Sequence, residues 1–137
     1  AHAGRFACQP FDSFNSRNRV SQQVTQEVEK RGGGRYRLSA WMRIGSGKGV
    51  GEVALRFIQV NRQSGAKYVD AVTIDSVALK ADQWVQVAGE LVLPWNPEKY
   101  DWLRSVHFQA QAQGRFKDLY IDSCRLEAQN EHKVRER

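Results

Sequence analysis

From Val106 to Gln113 the chain alternates without a break, with Val106, Phe108, Ala110 and Ala112 on one parity and His107, Gln109, Gln111 and Gln113 on the other. A period of two puts the two sets on opposite faces of a β-strand. The same rhythm recurs elsewhere. Tyr36, Leu38, Ala40 and Met42 alternate with Arg37, Ser39, Trp41 and Arg43, while Val53, Leu55 and Phe57 leave Arg56 pointing away. Val85, Val87, Gly89, Leu91 and Leu93 alternate with Gln86, Ala88, Glu90 and Val92, and a last strand is expected from Asp118 to Leu126. Turn residues stand between these segments at Arg31–Arg35, Gly45–Gly49, Asn61–Gly65 and Pro94–Pro97. Short one-sided strands separated by turns predict an all-β fold, a two-sheet antiparallel β-sandwich. In Val20–Val28 the spacing of Val20, Val24 and Val28 fits a strand or a helical stripe; the reading taken is strand. Little order is expected after Leu126.

A chain of 137 residues is the size of one domain, here 1–127 as the sandwich and 128–137 as a charged tail. With 41% hydrophobic and 26% charged residues it falls outside the disordered regime. No apolar run is long enough for a membrane-spanning helix, and the first residues lack the parts of a signal peptide. The formal charge of +6 admits an anionic partner. Lys and Arg are dispersed, however, and neither an RNA-binding signature nor a zinc spacing is present, which argues against nucleic acid. Cys8 and Cys124 lie near opposite ends, as two buried thiols or as a disulfide joining the first and last strands.

A polar strand face that carries a Trp suits a sugar, because a pyranose stacks its C–H face on an aromatic ring. Its hydroxyls need planar donors and acceptors of the Gln, Arg and Glu kind. Trp41 sits among such residues; the plainer alternative is that it covers a second core. Catalysis finds less support. A glycosidase needs two carboxyl groups across one bond, and Glu90, Asp70 and Glu52 qualify only by elimination. No serine elbow, phosphate loop or His-rich metal motif appears, so no enzyme is expected.

Tyr36–Arg43, Trp84–Leu91, Asp118–Leu126 and the opening Ala3–Cys8 together resemble, in this order, the carbohydrate-binding modules of families four, nine and twenty-two. The resemblance implies a β-jelly roll whose concave sheet forms a cleft for xylan or another β-glucan. It also implies a module attached to a catalytic glycoside hydrolase domain, secreted or at the cell surface. Trp41 matches the family's stacking Trp, and its Arg falls on Arg17 or Arg19. The family's aromatic and Glu on the penultimate polar strand fall within His107, Gln109 and Gln111, where this sequence has amides instead. Glu90 completes the hydrogen-bonding set, and Tyr68 is a candidate second platform. The family's structural calcium uses an acidic residue of an N-terminal strand together with the Asp of the last strand, here Asp122. That first strand is missing from this sequence, so an incomplete calcium site is expected.

Two other readings stand beside this one. The chain could be a structural or protein-interaction jelly roll without a glycan site. Alternatively, Arg37, Arg43 and Arg56 could form one basic face for an acidic polysaccharide or nucleic acid, with salt-sensitive binding.

Overall fold

The computed structural model describes residues 4–5 and 19–129. The elements in chain order are β1 (Gly4–Arg5), β2 (Arg19–Gln23), α1 (Thr25–Arg31), β3 (Gly34–Val60), β4 (Lys67–Thr73), β5 (Val77–Leu79), β6 (Val85–Leu93) and β7 (Trp102–Ala128). All strand pairings between them are antiparallel.

β3 and β7 are 27 residues each and pair from Tyr36↔Ala128 to Val60↔Trp102. Laid straight, such a ribbon would reach about 90 Å, against a radius of gyration of about 14 Å for a compact domain of this length. It therefore folds over on itself. Gly51, in the second half of β3, comes so close to the first half that a Cβ there would lie 2.8 Å from Sδ of Met42 and 2.9 Å from Cγ2 of Val87. Gly89 on β6 likewise abuts Ile74, which follows β4.

Each half of the ribbon is the centre of one sheet. The first sheet is β6, the first half of β3, the second half of β7 and β1; the second is β4, the second half of β3, the first half of β7 and β2. β5 pairs with β3 over Gly49–Gly51, beside the fold-over. Tyr36, Leu38, Met42, Ile44, Leu119 and Leu126 from one sheet meet Val53, Leu55, Phe57, Val106 and Phe108 from the other in a single core. This is the two-layer sandwich that the alternation predicts.

Gly45–Gly49 is not the turn that its glycines signal, because β3 and its ladder to β7 run straight through it. It is a corner at which two strands change sheet together. Gly47 (φ 94°) faces Arg115 and Gly114 (φ 136°) faces Lys48, each so closely that a Cβ would strike the opposite backbone. The corner also inverts the strand parity. In β3 the buried side is even-numbered through Ile44 and odd-numbered from Gly51 onward; in β7 it passes from Ala110 and Ala112 to Leu119 and Ile121. A bulge at Ser123 (φ 53°) then returns β7 to even parity, so that Ile121, Cys124 and Leu126 are all buried.

The strand expected over Val20–Val28 ends at Gln23, and α1 takes the rest. Val24 and Val28, four residues apart, share one buried helical face, while Val20 is buried on β2. Glu27 in the first turn and Lys30 and Arg31 in the last complement the helix dipole. Thr25 ties α1 to β7, its Oγ1 accepting the Val106 N–H at 2.9 Å.

The chain stays ordered past Leu126. β7 runs to Ala128, and the Gln129 N–H donates to the Arg35 carbonyl at 2.9 Å. The turn at Asn61–Gly65 forms as expected: Asn61 Oδ1 accepts the N–H groups of Gln63 and Ser64, both at 3.0 Å, and Gly65 has φ 81°. The Pro94–Pro97 loop is anchored on the buried Gln59, whose Nε2 donates to the Pro94 carbonyl and whose Oε1 accepts the Asn96 N–H, both at 3.0 Å.

Candidate functional site

Phe108 and Ala110 commit the first half of β7 to the core, which turns His107, Gln109 and Gln111 outward on the second sheet. β2 lies beside them in register, Gln23 opposite His107, Ser21 opposite Gln109 and Arg19 opposite Gln111. On the other side β3 sets Arg56 opposite His107, Ala54 opposite Gln109 and Glu52 opposite Gln111. Directly opposed residues of an antiparallel pair project to the same face, so these nine form one field three strands wide. Gln111 Nε2 donates to Glu52 Oε1 at 2.9 Å, which fixes the Gln111 amide. Along β7 the row from His107 to Gln111 covers roughly 14 Å. Amides and a guanidinium set at the pleat spacing on a rigid ladder suit an extended ligand rich in hydroxyls.

Trp41 stands on the outer face of the first sheet, opposite Gln86 on β6 and Asp122 on β7, and is 39% exposed. Two residues on, the Arg43 guanidinium lies 5.5 Å from the Trp84 ring centre and 4.7 Å from that of Tyr120, with its Nε buried and unbonded. Glu90 is on this same face, opposite Arg37, and its Oε1 is 3.8 Å from Nη1 of Arg35.

The residues expected to share one cleft are thus divided between the two outer faces of the sandwich. Arg19, His107, Gln109 and Gln111 come together on the second sheet; Trp41 and Glu90 lie on the first. The cause is the change of sheet at the corner, since the outer faces of the two layers point to opposite sides of the molecule. It likewise breaks up the expected basic face, since Arg37 and Arg43 belong to the first sheet and Arg56 to the second.

Tyr68 occupies a third place. It is on the edge strand β4 opposite Gln59, 41% exposed, its ring 6.0 Å from that of Phe57 and stacked at 6.1 Å and 21° on Tyr100. Its hydroxyl donates to Asp70 Oδ2 at 2.7 Å; this hydrogen bond raises the Tyr68 pKa and lowers that of Asp70. Asp70, Glu52 and Glu90 therefore stand on separate surfaces.

Arg17 and Cys8 lie outside the described residues. Cys124 is fully buried and is not a free thiol. Asp122 Oδ1 accepts the Ser123 N–H at 2.8 Å and so caps the bulge. Calcium takes six to eight oxygen ligands, and among the described residues no group of three acidic, His or Cys side chains is placed to hold a metal ion. Of the calcium site that the resemblance implies, Asp122 is the residue that falls among those described.

Sequence reasoning missed Ser21, Gln23 and Arg56 as members of the amide field. The signal for the first two was the alternation Arg19-Val20-Ser21, which the helical spacing of the later valines obscured. It also missed Trp84 and Tyr120 around Arg43, the one just before β6 and the other on β7, both distant in sequence and brought to Arg43 by the strand pairing.

No family model matches the sequence, and no curated protein matches it. Solved structures do. The CBM22-1–CBM22-2 tandem of Paenibacillus barcinonensis Xyn10C matches 95% of this chain with a TM-score of 0.70 at 12% identity, the chain spanning 49% of that tandem. The CBM22-2 xylan-binding domain of the same protein matches 94% of this chain and 91% of its own length, with a TM-score of 0.65 at 14% identity. The CBM22-1–GH10 modules of Clostridium thermocellum xylanase 10B, complexed with xylohexaose, match 92% of this chain and 25% of their own, with a TM-score of 0.60 at 9% identity. The fold of this chain is therefore that of the family 22 carbohydrate-binding modules.

Proposed function

We propose that the chain is a non-catalytic module that holds a β-glycan of the xylan or β-glucan class along the outer face of its second sheet. Arg19, His107, Gln109 and Gln111 hydrogen-bond the sugar hydroxyls, with Arg56 and Glu52 closing the row on the β3 side. The observation that carries this reading is the register, which lines up polar side chains across β2, β7 and β3 on one surface. A field already held by backbone ladders loses little freedom when a ligand arrives. The likeness of fold to xylan-binding modules supports the same class of ligand. The xylanase among those structures joins such a module to a GH10 module; by analogy, this chain serves a catalytic glycoside hydrolase domain in an extracellular protein.

A second reading is favoured by the exposure of Trp41 between Gln86 and Asp122: the sugar stacks on Trp41, on the opposite side of the molecule. Titration calorimetry with xylohexaose separates the two. A Gln109→Ala, Gln111→Ala double variant is expected to bind about tenfold or more weakly, since two hydrogen bonds of roughly 1 kcal/mol each are lost. Trp41→Ala should then bind as the parent does. Loss of binding in Trp41→Ala alone, with the melting temperature unchanged, would move the site to the first sheet. A parent protein that binds no xylo- or gluco-oligosaccharide would leave the chain as a structural or partner-docking domain.

A further inference from the structure

The polar row on the second sheet does not end at Gln111. The ladder continues with Gln113 opposite Val50, Arg115 opposite Lys48 and Lys117 opposite Ser46. On the alternate positions Phe116 packs against the core and Gly49 against Phe116, so Lys48, Arg115 and Lys117 stand on the solvent side with the amides, all exposed. Two like charges directly opposed across a ladder are destabilising. Among the described residues none of Lys48, Arg115, Lys117, Arg56 and Arg19 has an ion-pair partner. The one acid in the row, Glu52, is already held by Gln111. A hydrogen-bonding track thus leads into an uncompensated cationic end, with a further guanidinium, Arg56, at its other end.

We infer that the glycan this surface takes is anionic, a β-linked polysaccharide bearing carboxylate (uronate) substituents, with Lys48, Arg115 and Lys117 receiving a carboxylate beyond the amide row. The inference rests on the proposed glycan reading of the same face. Its content is a match of charge spacing. Arg56 and Lys48 are separated along β3 by roughly 27 Å at strand rise, with the amides of Gln109, Gln111 and Gln113 on β7 between them and one opposed pair of charges, Arg19 and Glu52, flanking Gln111. That suits a chain with an acidic group on occasional sugars. A nucleic acid carries a charge on every unit and needs exposed rings for its bases to stack on, and this row presents a single imidazole, His107, with no Trp, Tyr or Phe on its outer side. Arg115 can meet a carboxylate in bidentate fashion, and the two lysines add unpaired positive charge.

The test compares glucuronoxylan with the same polymer after carboxyl reduction, by affinity electrophoresis at low and at physiological salt, for the parent and for a Lys48→Ala, Arg115→Ala, Lys117→Ala variant checked for an unchanged melting temperature. Expected is binding of the uronate form about tenfold tighter at low salt, an advantage that shrinks as salt rises and disappears in the triple variant. Equal binding of the two polymers by the parent overturns the anionic assignment and leaves the neutral-glycan reading standing. Binding of neither polymer overturns both. Single-stranded homopolymer DNA that displaces glucuronoxylan at lower concentration than the free polysaccharide itself would overturn the choice of a glycan for this basic end.

Discussion

A Cβ added at Gly51 would lie 2.8 Å from Sδ of Met42 and 2.9 Å from Cγ2 of Val87, so the second half of β3 rests on the first with no space for a methyl group. The Met42 thioether can swing aside, but the β-branched Val87 is stiff and fully buried. Gly51→Ala is expected to cost about 1–3 kcal/mol, read as a lower urea midpoint at constant slope. A midpoint equal to the parent's would mean that the layers are looser than this contact implies.

Gln59 is the buried polar group on which the Pro94–Pro97 loop depends. Gln59→Leu removes both hydrogen bonds, and because Pro94 and Asn96 are exposed and water can take its place, the cost is that of the bonds themselves, about 0.5–1.5 kcal/mol each. Stability should fall, and the Asn96 amide should exchange with solvent much faster than in the parent. Unchanged Asn96 exchange would show that the loop has another anchor.

Tyr36 gives the alkaline limb of stability. Burial pushes its pKa from 10.0 up to about 12, Arg31 acting weakly in the opposite direction. The hydroxyl donates to the Gly32 carbonyl at 2.7 Å. Because the folded pKa is the higher one, the contribution is complete below pH 10 and is lost as pH rises toward 12. Its size is about 2–3 kcal/mol. Urea midpoints should therefore decline between these pH values in the parent, and decline less in Tyr36→Phe. Parallel declines in the two proteins would assign the alkaline limb to other groups.

β1 pairs Gly4 with Leu126 and Arg5 with Arg125, which brings the chain just before Cys8 beside the chain just after the buried Cys124. A bond between these two cysteines is the expected outcome. Under denaturing conditions without reductant, iodoacetamide should then label neither thiol, and reduction should lower stability by about 2–4 kcal/mol. Labelling of both without reductant would rule the bond out.

Much of the fold was legible because burial on a strand is a local, alternating property. Val106 to Ala112, Val85 to Leu93 and Tyr36 to Met42 all bury the parity that their residues imply. What escaped was whatever depends on how one segment continues into the next. Glycines at 45, 47 and 49 signal a departure from regular strand equally well at a chain reversal and at a corner, and only the unbroken ladder to β7 tells the two apart. The site was misassembled for the same reason: Trp41 and Gln109 are both outward residues, but the corner puts them in different layers, whose outward sides are opposite sides of the molecule. Ser123 hid in the same way, since one extra residue in β7 lets Cys124 turn inward where simple alternation from Ile121 would not.

Because β3 and β7 each belong to both sheets, neither layer exists without the other. Their ladder closes its smallest loop between Val60 and Trp102 and its largest between Tyr36 and Ala128, and closure entropy rises with loop length. Pairing of these two strands is thus cheapest from the Val60 end, advancing through the glycine corner toward Tyr36 and Ala128, while β2, whose pairs with β7 close loops as long as the largest of these, joins late. A chain built this way carries both layers on one continuous ladder, so that loosening the corner loosens the two together.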